Sequence, residues 1–220
     1  MPESASFSVR RPNYRRRRTF SVLGLLGVLV LVVVLLTRGG GPLGGPDEPP
    51  IPTLEFVAKA KHVFQGKAAG ASTQQGEVDN LTKMFSEFYQ QAFVDPEAWG
   101  DGTFEDLAGL FVDDAKASFQ RDLPALTIGQ ARTELKRVDL GPNSLAVSVY
   151  YDSKQKPTFA VASVAFEGRG TLKRSGPIVT IKQAATYYLQ KVGSVWRITA
   201  YDTNETQTTP TPSPTASPSS

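Results

Sequence analysis

His62 is the sole histidine of this 220-residue chain, and there is no cysteine. A thiol nucleophile, a disulfide framework, a zinc–thiolate site and an iron–sulfur cluster are therefore excluded. One histidine with no acid or cysteine beside it in the sequence makes a poor triad or metal centre. Serine nucleophiles fare no better: the chain has neither G-x-S-x-G nor S-x-x-K followed by K-T-G. Residues 95–114 hold seven acids (Asp95, Glu97, Asp101, Glu105, Asp106, Asp113, Asp114) and no base. Asp95 to Asp106 partly mimics a calcium loop, but Trp99 stands at the fifth position, where a side-chain oxygen is needed, and Gly102 at the eighth. Helix capping and a solvated acidic face account for the cluster better. Within 129–201 the acids are Glu134, Asp139, Asp152 and Glu167. Acid–base chemistry in a cavity needs a desolvated carboxyl with a raised pKa, and these four give it few candidates. No catalytic residue, metal site or cofactor is therefore expected.

The elements that would position any such group follow a clear order. Thr19 to Thr37 is uncharged and reads FSVLGLLGVLVLVVVLL through its middle. As a helix it would span about 28 Å, close to the hydrocarbon core of a bilayer. Six arginines (Arg10, Arg11 and Arg15 to Arg18) precede it, and Arg38 closes it. Positive flanks stay in the cytoplasm, so the expected topology is a cytoplasmic tail over 1–18, a single membrane span over 19–37, and everything beyond outside the cell membrane. A cleaved signal peptide is the alternative; its apolar region is usually shorter, and no clean cleavage site follows.

Charge divides along the chain. Residues 1–38 carry seven Arg and one Glu, while 39–220 carry 17 basic and 20 acidic residues, so the overall net charge of +3 belongs to the basic tail and does not mark a nucleic-acid binder. Residues 38–53 are Gly- and Pro-rich and read as a linker. Residues 206–220, a Thr/Ser/Pro tail with no core-forming residue, read as disordered.

One folded domain is expected over 54–205. Leu54 to Gln65 reads as a helix, with Val57, Ala60, Lys61 and Phe64 at helical spacing. Glu77 to Val94 is the strongest helix, with Val78, Leu81, Phe85, Phe88 and Ala92 on one stripe and Asp95-Pro96 as its stop. Shorter helices follow Thr103 and Asp114. From about Ala131 the apolar period changes to two: strands are expected near Leu145 to Tyr151, Thr158 to Glu167, Ile178 to Val192 and Val195 to Tyr201, with Gly193-Ser194 as a tight turn. On the last strand, Trp196, Ile198 and Ala200 should share the core face. Helices followed by a meander imply an α+β domain with helices on one face of an antiparallel sheet.

The stretch Tyr188-Leu189-Gln190-Lys191-Val192-Gly193-Ser194-Val195-Trp196-Arg197-Ile198 resembles the last hairpin of nuclear-transport-factor-2-like (NTF2-like), cystatin-like cones. The resemblance covers about 77–204 and implies a curled antiparallel sheet closed by helices. With the expected anchor added, the chain is similar to actinobacterial Mce-associated membrane proteins and to assembly subunits of type IV secretion systems. Such families imply a non-catalytic adaptor or scaffold in an envelope, transport or secretion assembly, with protein partners, and that is the leading expectation: not an enzyme. The alternative is an anchored cone that binds a small ligand or lipid, lined by Tyr89, Trp99 and Phe119, unless these three simply fill the core. An isomerase- or hydrolase-like enzyme stands third. Residues 47–128 are net −8 and residues 129–201 net +7. A sheet face bearing Arg169, Lys173 and Lys182 would thus suit an acidic partner, with the acidic half of a second copy as one candidate.

Overall fold

The computed structural model describes residues 49–100, 102–174 and 178–208, with side chains described up to residue 204. The expected span at 19–37, its basic tail, most of the linker and residues 209–220 lie outside the described residues. Among those described, no helix is long and apolar enough to cross a membrane.

The domain starts as an extended segment rather than a helix. Leu54 and Phe56 are buried while Glu55 and Val57 are exposed. That alternation of period two runs into strand β1 (Ala58–Phe64). The expected helix over 54–65 is therefore corrected. Its apparent helical spacing was coincidental, and the tertiary environment selects the extended form. The Leu54 N–H donates to Gln90 Oε1 (2.8 Å) and the Phe56 N–H to Ser86 Oγ (3.1 Å), so a helix pins the segment as an extended strap.

That helix, α1 (Ala71–Tyr89), buries Val78, Leu81, Phe85 and Phe88 as its spacing predicts. It continues into a π-helical turn over Gln90–Val94, and Asp95 ends it by accepting the Glu97 N–H at the start of α2 (Pro96–Trp99). The acidic region then folds into α3 (Glu105–Ala108) and α4 (Asp113–Arg121), with acids in the first turns, where they complement the helix dipole. Next come α5 (Leu123–Leu126) and a 3-10 turn over Gly129–Thr133.

Five strands follow: β2 (Leu135–Leu140), β3 (Ser144–Tyr151), β4 (Pro157–Leu172), β5 (Val179–Val192) and β6 (Val195–Thr208). The sheet order is β1-β3-β4-β5-β6, with β2 also pairing β4. β1 runs parallel to β3, and the remaining pairs are antiparallel. β2 and β3 share one edge of β4, because β4 is long enough to pair β3 along its first half and β2 along its second. Where β2 crosses, β4 carries Gly168 and Gly170 on its inner face. A Cβ there would come within 2.7 Å of Val138 and 2.5 Å of Leu135, so glycine permits the close approach. The result is an α+β domain with helices packed on a curled sheet.

Strands β3, β4 and β5 alternate. Leu145, Val147 and Val149 of β3, Ala160, Ala162 and Val164 of β4, and Ile181, Tyr187 and Leu189 of β5 face the helices. On β6 the alternation slips. A bulge opposite Tyr188/Leu189 puts Trp196 and Ile198 in the core but leaves Ala200 exposed, and Tyr201 takes over the inner register. The expected sharing of one face by Ala200 is corrected by that extra residue.

Candidate functional site

Two charged residues occupy inward registers. On α1, Glu77 lies on the stripe continued by Leu81, Phe85 and Phe88 and is buried. On β5, Lys191 extends the inward series Ile181, Gln183, Ala185, Tyr187, Leu189. The two meet: Lys191 Nζ donates to Glu77 Oε1, their side chains being 14% and 11% exposed. Trp196, the second residue of β6, donates its indole N–H to the other carboxylate oxygen at 2.9 Å, and the ammonium sits 5.4 Å from its ring centre. One carboxylate is thus shared by a cation and an indole out of water, where each hydrogen bond is stronger than it would be in solvent.

The cluster stands where β1 and β3 end and β5 turns into β6. Tyr151, the last residue of β3, is buried there. Its hydroxyl lies 3.3 Å from His62 Nδ1, and its ring stacks on Phe64 at 4.9 Å. Burial, and after it the Glu77 carboxylate, raises the Tyr151 phenol above its ordinary pKa. The structure thus brings His62 beside a phenol whose pKa a buried carboxylate influences. The sequence left that histidine isolated because Tyr151, whose hydroxyl it meets, is 89 positions away.

Deeper in the cone a second polar pair is enclosed by aromatic rings. The hydroxyls of Tyr89 and Tyr187 are 3.1 Å apart, and both residues are fully buried. Phe85 lies 5.0 Å from Tyr187, and Phe93 5.5 Å from Tyr89. Gln183 donates to the Ala125 carbonyl at 2.8 Å, while its Oε1, like Trp99 Nε1, is buried without a hydrogen-bond partner. Burial pushes both phenols well above the usual range, and for Tyr89 the neighbouring Tyr187 adds to it. A phenol whose folded pKa is raised stabilises the fold fully below its unfolded pKa of about 10, and that contribution is lost as pH climbs toward the folded value. The expected outcome is a melting temperature that falls steeply above about pH 10. Absorbance at 295 nm should show Tyr89 and Tyr187 ionising only with unfolding; ionisation of all seven tyrosines before loss of near-UV ellipticity would contradict it.

The residues expected to line a ligand site are placed as follows. Tyr89 belongs to the pair just described. Phe119 packs on Phe111 at 4.6 Å, and Trp99 is buried in α2. The three expected to meet a partner are partly committed elsewhere: Lys182 pairs with Glu167 at 3.1 Å, and Lys173 Nζ donates to the Thr133 carbonyl at 3.1 Å. Arg169 is exposed on β4 opposite Asp139 and Thr180. None of the four strand-half acids lies within the cone. Asp139 pairs with Arg137, Asp152 accepts turn N–H groups from Lys154 and Lys156, Glu167 meets Lys182, and Glu134 is exposed. The acid inside the cone is Glu77, from the helix. The signal for it was a charged residue on an otherwise apolar stripe.

No family model matches the chain, and no curated protein does. Among solved structures it is similar to one titled "Putative Scytalone Dehydratase" from Novosphingobium aromaticivorans, at 16% identity and a TM-score of 0.44, over 64% of this chain and 93% of that one. The expectation of a non-catalytic adaptor, and with it the reading that the chain is not an enzyme, is corrected here. The domain buries a Glu77–Lys191 pair and sets half-buried His62 against Tyr151, ionisable groups that the sequence reading had not brought together.

Proposed function

We propose that the domain is a ligand-binding cone, held outside a membrane by the 19–37 segment, that takes a small and mainly apolar molecule at the Glu77–Lys191–Trp196 cluster. The observation that supports this reading is the buried ion pair itself. A Glu–Lys pair with well-packed apolar replacements available is seldom the more stable choice, so stability alone is weak reason to keep charge there. Its chemistry suits a ligand with a hydroxyl and a carbonyl close together. The hydroxyl would donate to Glu77, and the carbonyl would accept from the Lys191 ammonium. Phe64, Tyr151 and Trp196 supply aromatic surface for the rest of the molecule.

The Tyr151–His62 contact favours a second reading, a proton-transfer enzyme of the isomerase or hydrolase kind. An imidazole hydrogen-bonded to a phenol beside a carboxylate supplies both an acceptor and a donor for a proton at the same ligand. Screening hydroxy-ketones and related small apolar compounds by thermal shift tests the first reading. Bound compounds should lose at least about tenfold in affinity in Glu77→Gln and in Lys191→Met, the scale of one charged hydrogen bond. Affinity unchanged in both variants would remove the cluster from the site. Turnover of a bound compound that His62→Asn abolishes, with binding kept, would select the second reading.

A further inference from the structure

The outer face of the sheet, opposite the helices, carries two features that the cone interior does not explain. At the end near the β5–β6 turn, Tyr150, Phe159 and Tyr188 form an aromatic run across β3, β4 and β5, with ring centres 5.6 and 6.5 Å apart. Tyr150 is 36% exposed and Tyr188 38%. Farther along the same face is a trough of about 470 Å³. It is floored by the cross-strand partners Ala165 and Ala184 and rimmed by Asn143, Ser144 and Asn204.

We propose that this face binds the chain's own proline-rich segment, residues 209–220, as a polyproline II strand. β6 ends at Thr208, which pairs with Thr180 of β5. From Thr180 back to Tyr188 is eight residues of strand, about 27 Å. The twelve residues beyond Thr208 reach about 37 Å in the polyproline II form, at about 3.1 Å each. The segment is therefore long enough to return over the trough and lay Pro218 on the rings. Its prolines (Pro210, Pro212, Pro214, Pro218) favour that conformation before binding and lower its ordering entropy. A polyproline strand has no internal hydrogen bonds. Ser144 and Asn204, both exposed, present polar groups to its carbonyls along the route, and exposed aromatic rings are the usual seat for proline. Tethering adds an effective concentration that a separate peptide would lack.

The chain's lack of cysteine makes the test clean. In the full chain, Ser217→Cys is combined with Ser163→Cys on the exposed outer face, or with Lys83→Cys on the exposed side of α1, and treated with a short bismaleimide. The first pair should form an intrachain crosslink at least about tenfold faster than the second. Changing Pro210, Pro212, Pro214 and Pro218 to Gly, which leaves every domain residue in place, should bring the first pair down to the rate of the second. Equal rates for the two pairs in the unaltered tail would overturn the proposal. Crosslinks that form only between two copies would overturn the intramolecular occupant.

Discussion

Replacing Lys191 by Met should lower the domain's stability by about 3–5 kcal/mol, because it strands the Glu77 carboxylate in a buried setting with only the Trp196 N–H as partner. Glu77→Leu should cost a similar amount, since it leaves the ammonium uncompensated and the indole N–H without an acceptor. The double variant separates the pair's net worth from the penalty of breaking it. With both charges gone, what remains is the unsatisfied indole, about 1–3 kcal/mol, partly offset by the relief of desolvation. Urea melts of the four proteins close the cycle. If the double variant lost as much as the two singles added together, the residues would be acting independently and the cluster as described would not exist.

Phe85→Ala carries the other large effect, about 3–5 kcal/mol. Its ring is fully buried at the centre of the α1 stripe, 5.0 Å from Tyr187, so truncation opens a cavity beside the tyrosine pair. Val57→Ala, 89% exposed on the strap, should stay within about 0.5 kcal/mol. A Phe85→Ala loss under 1 kcal/mol in denaturant melts would mean that α1 does not pack its stripe on the sheet.

Much of the architecture was legible because it rests on periodicity. Leu81, Phe85 and Phe88 at three–four spacing specify the long helix, and the alternation in β3, β4 and β5 specifies the sheet and its inner face. β1 was misread because AKAKHVF fits both periods loosely, and only its parallel pairing with β3 and the strap contacts to Ser86 and Gln90 decide between them. The bulge in β6 is set by pairing geometry, which no local pattern encodes. The candidate site was harder to see. His62, Glu77, Tyr151 and Lys191 come from β1, α1, β3 and β5, and meet only when the parallel edge strand brings His62 alongside β3. Even so, Glu77 and Lys191 left a trace as charges in registers reserved for apolar side chains. The strand acids Glu134, Asp139, Asp152 and Glu167 drew attention by residue type, but their registers and turns place them outside the cone.

The chain has two tryptophans, so two indole N–H signals report on the interior: Trp196, bonded to Glu77, and Trp99, without a partner. An amide-correlation spectrum of the 15N-labelled protein titrated with a compound from the thermal-shift screen tests the central claim most directly. The account predicts that the Trp196 indole signal moves in a saturable way as the ligand engages Glu77, while the Trp99 signal stays in place, and that Lys191→Met removes the response. A ligand that stabilises the protein yet leaves the Trp196 indole unmoved would contradict the claim that the Glu77–Lys191 cluster is where it binds.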